Sequence, residues 1–151
     1  MPKVYVASSW RNSRQPEVVA AIREAGFEVY DFRNAETAFE WREIDLGKKY
    51  WGWGDFRRAL EHPIAEKGFD SDFEALERCD CCVLLLPCGK SAHLEFGYAV
   101  GLGKATFILV EGGVEPELMY RAADKICLSL EELIDELECF FLLDLGAEDC
   151  R

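Results

Sequence analysis

The stretch Cys81-Cys82-Val83-Leu84-Leu85-Leu86-Pro87-Cys88-Gly89-Lys90-Ser91 decides the fold. Six apolar residues in a row are too few for a buried helix. They suit a strand covered on both faces, the signature of a parallel sheet. Pro87 and Gly89 then turn the chain, and Ser91 is placed to cap a helix over 92–102. Gly103 stops that helix. Gly97 and Gly101 lie four apart on it, a spacing that predicts close packing on the sheet.

Outward from this unit the same alternation repeats. Toward the N-terminus, Lys3-Val4-Tyr5-Val6-Ala7 reads as a first strand ending at Ser8-Ser9. Val18, Val19, Ile22 and Ala25 have helical spacing over 15–25, and Gly26 closes that helix. Phe27 to Tyr30 is a second strand. Ser71-Asp72-Phe73-Glu74 has the form of a capping box, so a helix is expected from there to about Arg78. Toward the C-terminus, Thr106 to Val110 is a fourth strand, 115–123 a short helix, and Lys125 to Cys127 a short fifth strand. Ser129-Leu130-Glu131-Glu132 is a second capping box, opening an amphipathic helix with Leu130, Leu133, Ile134 and Leu137 on one face. Strands alternating with helices predict an α/β fold. The expectation is one doubly wound, flavodoxin- or Rossmann-like parallel sheet of about five strands, with helices on both faces. No repeat or linker divides the chain, so residues 1–151 read as one domain. It carries an aromatic insert at about 31–68 and a loose acidic tail at about 142–151.

Bulk composition narrows the function. Half of the 151 residues are hydrophobic and 30% are charged, a globular balance. The net charge of −12 repels phosphate backbones, so nucleic acid is not the expected partner. A small phosphorylated ligand in a local pocket stays compatible with it. No apolar run is long enough to span a bilayer, and Met1-Pro2-Lys3-Val4-Tyr5 lacks a signal-peptide core. A soluble, cytoplasmic protein with no membrane partner is expected. The seven cysteines are odd in number, and the histidines make no metal motif with them. Cys79, Cys81 and Cys82 lead straight into an apolar strand and read as small core hydrophobes. Neither a metal nor another cofactor is expected.

In a doubly wound sheet the ligand sits outside the carboxyl ends of the strands. That confines the search to 8–14, 31–55, 68–72, 87–95 and 111–119. Glu95 stands out, placed in the first turn of the helix after the third strand, where the helix dipole favours the ionised carboxylate. Position alone leaves two readings open: a dipole complement on the surface, or a nucleophile at a ligand. The turn before it is neither a dinucleotide-binding GxGxxG nor a P-loop. Asp72 is a second carboxylate, and Tyr5 either reaches the strand tips or is a core aromatic. The insert holds Phe39, Trp41, Tyr50, Trp51, Trp53 and Phe56, which suits a lid over a flat heterocycle or, equally, a satellite hydrophobic cluster. His62 reads as structural. With no nucleophilic triad legible, a carboxylate-driven reaction beside an aromatic pocket fits glycosyl chemistry, whose cationic transition state carboxylates stabilise.

The motifs Val4-Tyr5-Val6-Ala7-Ser8-Ser9-Trp10, Asp70-Ser71-Asp72, and Leu94-Glu95-Phe96-Gly97-Tyr98-Ala99 with Leu102-Gly103-Lys104 resemble the nucleoside 2-deoxyribosyltransferase superfamily. The resemblance spans roughly residues 3–137, apart from the insert. It implies that Glu95 attacks C1′ of a 2-deoxyribosyl group, that Asp72 handles the proton on the leaving base, and that Tyr5 orients the glutamate. It implies a homo-oligomer, dimer or higher, in which Leu118-Met119 reaches a neighbouring site. The transferases carry an aspartate on the loop before the glutamate helix; here Pro87-Cys88-Gly89-Lys90-Ser91 has no carboxylate. The superfamily also contains nucleotide N-glycosidases, and Ser8, Ser9, Arg11, Lys90 and Ser91 suit a 5′-phosphate. Trp10, Asp31, Arg33, Gly89, His93 and Met119 complete the candidate substrate-binding set. Cleavage and transfer at the N-glycosidic bond of a deoxynucleoside or its 5′-monophosphate are therefore both implied. An NAD or ADP-ribose-type glycohydrolase and a non-catalytic nucleotide-binding module are the alternatives.

Overall fold

A computed structural model describes residues 1–34, 38–44, 51–115 and 117–144. Five strands form one parallel sheet: β1 (Lys3–Ala7), β2 (Glu28–Tyr30), β3 (Cys81–Leu85), β4 (Ala105–Leu109) and β5 (Lys125–Cys127), in the spatial order β2-β1-β3-β4-β5. Every pairing is parallel, with Val6 opposite Val83 and Val83 opposite Phe107 in the middle. The helices are α1 (Gln15–Glu24), α2 (Trp53–Leu60), α3 (Pro63–Arg78), α4 (Lys90–Gly101) and α5 (Leu130–Asp144). Short 3-10 turns occupy Trp41–Glu43 and Leu118–Ala122. The strand order reverses direction between β1 and β3, the switch point at which such sheets bind ligands.

Alternation along each strand builds two cores. Val4 and Val6 of β1, with Val83 and Leu85 of β3, face α1 and α5 through Val18, Ile22, Leu133 and Leu137. Tyr5, Ala7, Cys82 and Leu84 face α3 and α4 through Leu76, Phe96 and Ala99. Every residue of β3 is buried, which explains why its sequence is a continuous apolar run rather than an alternating one. Cys79, Cys81, Cys82 and Cys127 are buried and free, as core cysteines. Burial pushes the Cys81 and Cys82 thiols up, so they stay neutral.

Sequence punctuation sets the helix ends. Gly26 has φ +94°, and the chain around it donates Phe27 N to Ile22 O and Gly26 N to Arg23 O. That is a Schellman motif, whose left-handed residue carries no Cβ penalty when it is glycine. Gly103 (φ +70°) repeats it after α4. Ser129 Oγ accepts from Glu132 N, while Glu132 reaches back to Leu128 N, so the predicted cap of α5 forms.

Three local expectations change. The helix read from Ser71 starts eight residues earlier: His62 caps α3 by accepting from Ile64 N, and Pro63 takes its first position. Gly68 does not interrupt α3. A Cβ there would lie 2.9 Å from the Cβ of Phe39, so the bare backbone is where the insert docks. The insert thus contains α2 and the start of α3. Second, α4 begins at Lys90 with Gly89 as its cap, so Ser91 is in the first turn rather than capping it, and Glu95 is in the second. Third, Gly97 and Gly101 face outward, with nothing near a would-be Cβ. Tyr50 and most of the acidic tail lie outside the described residues. No helix among those described is long and apolar enough to cross a membrane.

Candidate active site

A cavity of about 610 Å3 opens at the β1/β3 switch point. Ser8, Ser9, Trp10 and Arg11 line it from the end of β1, and Gly89, Lys90, Ser91 and Ala92 from the start of α4. Glu95 of α4 and Asp72 of α3 share its depth, and Phe32, Phe39, Glu40 and Trp41 supply a wall. The two carboxyls come together because α3 and α4 pack on the same face of the sheet.

The environment of each carboxyl is unusual. Burial first, then the charge of Asp72, push Glu95 up to about 7, with the Tyr5 phenol working the other way. Burial also raises Asp72, against the Tyr30 hydroxyl, which donates to its Oδ1 at 2.8 Å. Tyr30 stacks on Tyr5 at 5.2 Å between ring centroids and 13° between planes, so the two phenols form one layer under the carboxyls. Tyr5 is fully buried, with its hydroxyl short of a hydrogen bond of ordinary geometry. Burial, then Glu95 and Asp72, hold that phenol neutral.

The β1–α1 loop is held from below. Arg33 Nη2 collects the carbonyls of Ser9, Trp10 and Asn12 at 2.9, 3.0 and 2.8 Å. Its guanidinium also lies 5.5 Å from the Trp10 ring centroid and 5.8 Å from that of Phe32. Asn12 Nδ2 donates to Pro87 O and Ser8 Oγ to Leu85 O, which ties this loop to the end of β3.

Of the residues expected at the site, Glu95, Asp72, Ser8, Ser9, Trp10, Arg11, Gly89, Lys90 and Ser91 line one cavity. Tyr5 lies beneath it. Four do not line it. Arg33 straps the loop from behind, because a lone cation beside three free carbonyls satisfies them before it can face a ligand. Asp31 accepts from Gln15 Nε2 and Arg33 N, in the turn after β2. His93 points away, bonded to Gly89 O and the Tyr120 hydroxyl. Met119 is 70% exposed and outside the cavity. Phe32, Glu40 and Ala92 also line the cavity, and Tyr30 reaches Asp72 from beneath it. Tyr30 is the last residue of a strand, where the strand-end rule finds it. Glu40 sits between Phe39 and Trp41, whose aromatic character is the stronger sequence signal.

No family model and no curated protein matches the chain. Solved structures do. A CMP N-glycosidase from Clostridium botulinum is 16% identical, with a TM-score of 0.53 over 90% of this chain and 98% of that one. A 2-deoxyribosyltransferase from Bacillus psychrosaccharolyticus is 18% identical, with a TM-score of 0.55 over 87% and 90%. A conserved protein from Enterococcus faecalis is 14% identical, with a TM-score of 0.61 over 91% and 98%. At such identities the likeness is one of fold, and that fold is shared with an N-glycosidase and a deoxyribosyltransferase, in line with the superfamily the sequence motifs resemble.

Proposed function

We propose that the protein breaks the N-glycosidic bond of a 2-deoxyribonucleoside 5′-monophosphate, with Glu95 as nucleophile. The observation that carries this reading is the pairing of Glu95 and Asp72, both pushed upward in pKa, in a cavity that also has an aromatic wall and a serine-, arginine- and lysine-lined loop. Perturbed carboxyls in a shared cleft are what acid–base and covalent chemistry requires.

The phosphate lies against Ser9, Arg11 and the amide end of α4, where the helix dipole favours an anion. The base lies against Phe32, Phe39 and Trp41. Ionised Glu95 attacks C1′. As the C1′–N bond breaks, its electron pair leaves with the base, which takes the proton held by Asp72. The sugar is then an ester of Glu95. Water attacks C1′ of that ester, Asp72 takes its proton, and Glu95 leaves as carboxylate, releasing 2-deoxyribose 5-phosphate. If a second base replaces water, the same two steps give transfer. The Arg11 and Lys90 charges at the loop favour the monophosphate over the nucleoside.

The test is incubation with deoxynucleosides, their 5′-monophosphates and NAD, with free base read by chromatography. Base release from monophosphates that disappears in Glu95→Ala, with the far-UV spectrum unchanged, is expected. Release that survives in Glu95→Ala overturns the nucleophile. Turnover of NAD alone moves the substrate to the ADP-ribose class, and turnover of nothing with tight nucleotide binding makes the protein a binding module.

A further inference from the structure

We infer that Glu40 selects the base, and that the cavity accepts bases bearing an exocyclic amino group over their oxo counterparts. This rests on the reading above that the cavity holds a nucleotide.

Among the described cavity residues, the wall opposite the loop is made of Phe32, Phe39, Glu40 and Trp41. Three of them offer only ring faces and an indole edge. Rings stack on any base and do not tell one from another. Glu40 is the polar side chain of that wall. A carboxylate accepts hydrogen bonds and donates none, so it favours an edge with an N–H and repels a carbonyl oxygen. Cytosine and adenine carry an exocyclic amine; uracil and hypoxanthine carry oxygen at the matching place.

Glu40 is held for this role. Arg42 grips both of its oxygens, with Nε 2.6 Å from Oε2 and Nη2 3.0 Å from Oε1. That grip orients the carboxylate, while each oxygen retains a further lone pair. The wall itself is anchored. Phe39 sits where Gly68 has no side chain, at 2.9 Å from the position a Cβ would take. Trp41 packs edge-on to Phe39 at 5.0 Å and against Phe56 at 5.4 Å. Preorganised acceptors discriminate because the wrong partner leaves them desolvated and unpaired.

The pairs dCMP against dUMP and dAMP against dIMP set an amino edge against its oxo counterpart. Binding is measured by calorimetry and base release by chromatography, for the wild type and for Glu40→Gln. The wild type is expected to favour each amino partner on the order of tenfold, the scale of one good hydrogen-bond contact to a base edge. Glutamine both accepts and donates, so Glu40→Gln should bring each ratio to within about twofold while total binding persists. Equal binding of amino and oxo partners by the wild type overturns the proposal, as does a preference that Glu40→Gln leaves intact. An amino preference in binding without any base release overturns the catalytic reading and leaves this one standing. Base release without an amino preference does the reverse. Absence of nucleotide binding overturns both.

Discussion

Replacing Glu95 by glutamine should make the protein more stable, and only where the glutamate would be ionised. Burial, reinforced by the charge of Asp72, holds the Glu95 carboxyl at about 7 against an ordinary value of 4.5. The fold thus prefers the protonated form. Its contribution to stability is fully present below the unfolded value and is lost as pH rises through about 7. The gap between 4.5 and about 7, at about 1.4 kcal/mol per pH unit, makes ionised Glu95 a burden of ~3 kcal/mol above pH 8. Glutamine has the shape of the protonated acid and no charge. By the same linkage the variant should lead the wild type by under ~1 kcal/mol at pH 5 and by ~3 kcal/mol at pH 8. For a domain of this size the larger figure corresponds to a rise in Tm of roughly 6–12 °C. Urea denaturation at the two pH values, followed by circular dichroism, measures both. An equal gap at pH 5 and pH 8 would refute the reasoning, since a packing change has no reason to follow the titration. A variant less stable at pH 8 would refute it outright.

The proposed chemistry needs one proton on the pair, so kcat/KM should be bell-shaped in pH, with its falling limb near 7 where the pair loses that proton. Asp72→Asn should cut kcat by on the order of a hundredfold or more, the scale of a lost general acid. Its residual activity should rise with pH to a plateau, with a midpoint below 7, because the raising charge of Asp72 is gone. Tyr30→Phe removes the hydroxyl that holds Asp72 down, so the acid titration in the pH profile should move upward; an unmoved profile would show that the 2.8 Å contact is idle. Gly68→Ala places a methyl group against Phe39 and should raise KM for nucleotides several-fold with kcat little changed, read by steady-state kinetics beside an unaltered far-UV spectrum.

The fold was legible because its signals are local. A run of six apolar residues closed by Pro87 and Gly89 fits a doubly covered strand by length and punctuation, and Gly26 and Gly103 end helices through Schellman bonds that need no tertiary partner. The capping box at Ser129 works for the same reason. The insert was not legible, because its path is set by distant contacts. Nothing in Gly68 itself announces that Phe39, twenty-nine residues earlier, will occupy its empty side. The capping-box pattern at Ser71 points to a helix start there, whereas α3 begins at Pro63 and runs through Gly68.

The site divides along the same line. Glu95, Asp72 and the Ser8–Arg11 loop follow from one rule, that ligands gather at the carboxyl ends of parallel strands. That rule gives the neighbourhood of a residue but not its direction. Arg33 and Asp31 follow β2 as Arg11 follows β1, yet they turn inward. The chain reversal after β1 leaves the carbonyls of Ser9, Trp10 and Asn12 converging on one point, and a guanidinium there satisfies all three. Sequence does not distinguish an arginine that meets a ligand from one that shapes the loop that meets it. Kinetics can make the distinction. Arg33→Lys keeps the charge but offers one ammonium in place of a planar fork, so the loop should lose its shape while the field at the phosphate persists. A rise in KM confined to 5′-monophosphates, with nucleoside turnover unchanged, is the outcome that the strap requires; an equal rise for both would place Arg33 in the support of the whole cavity.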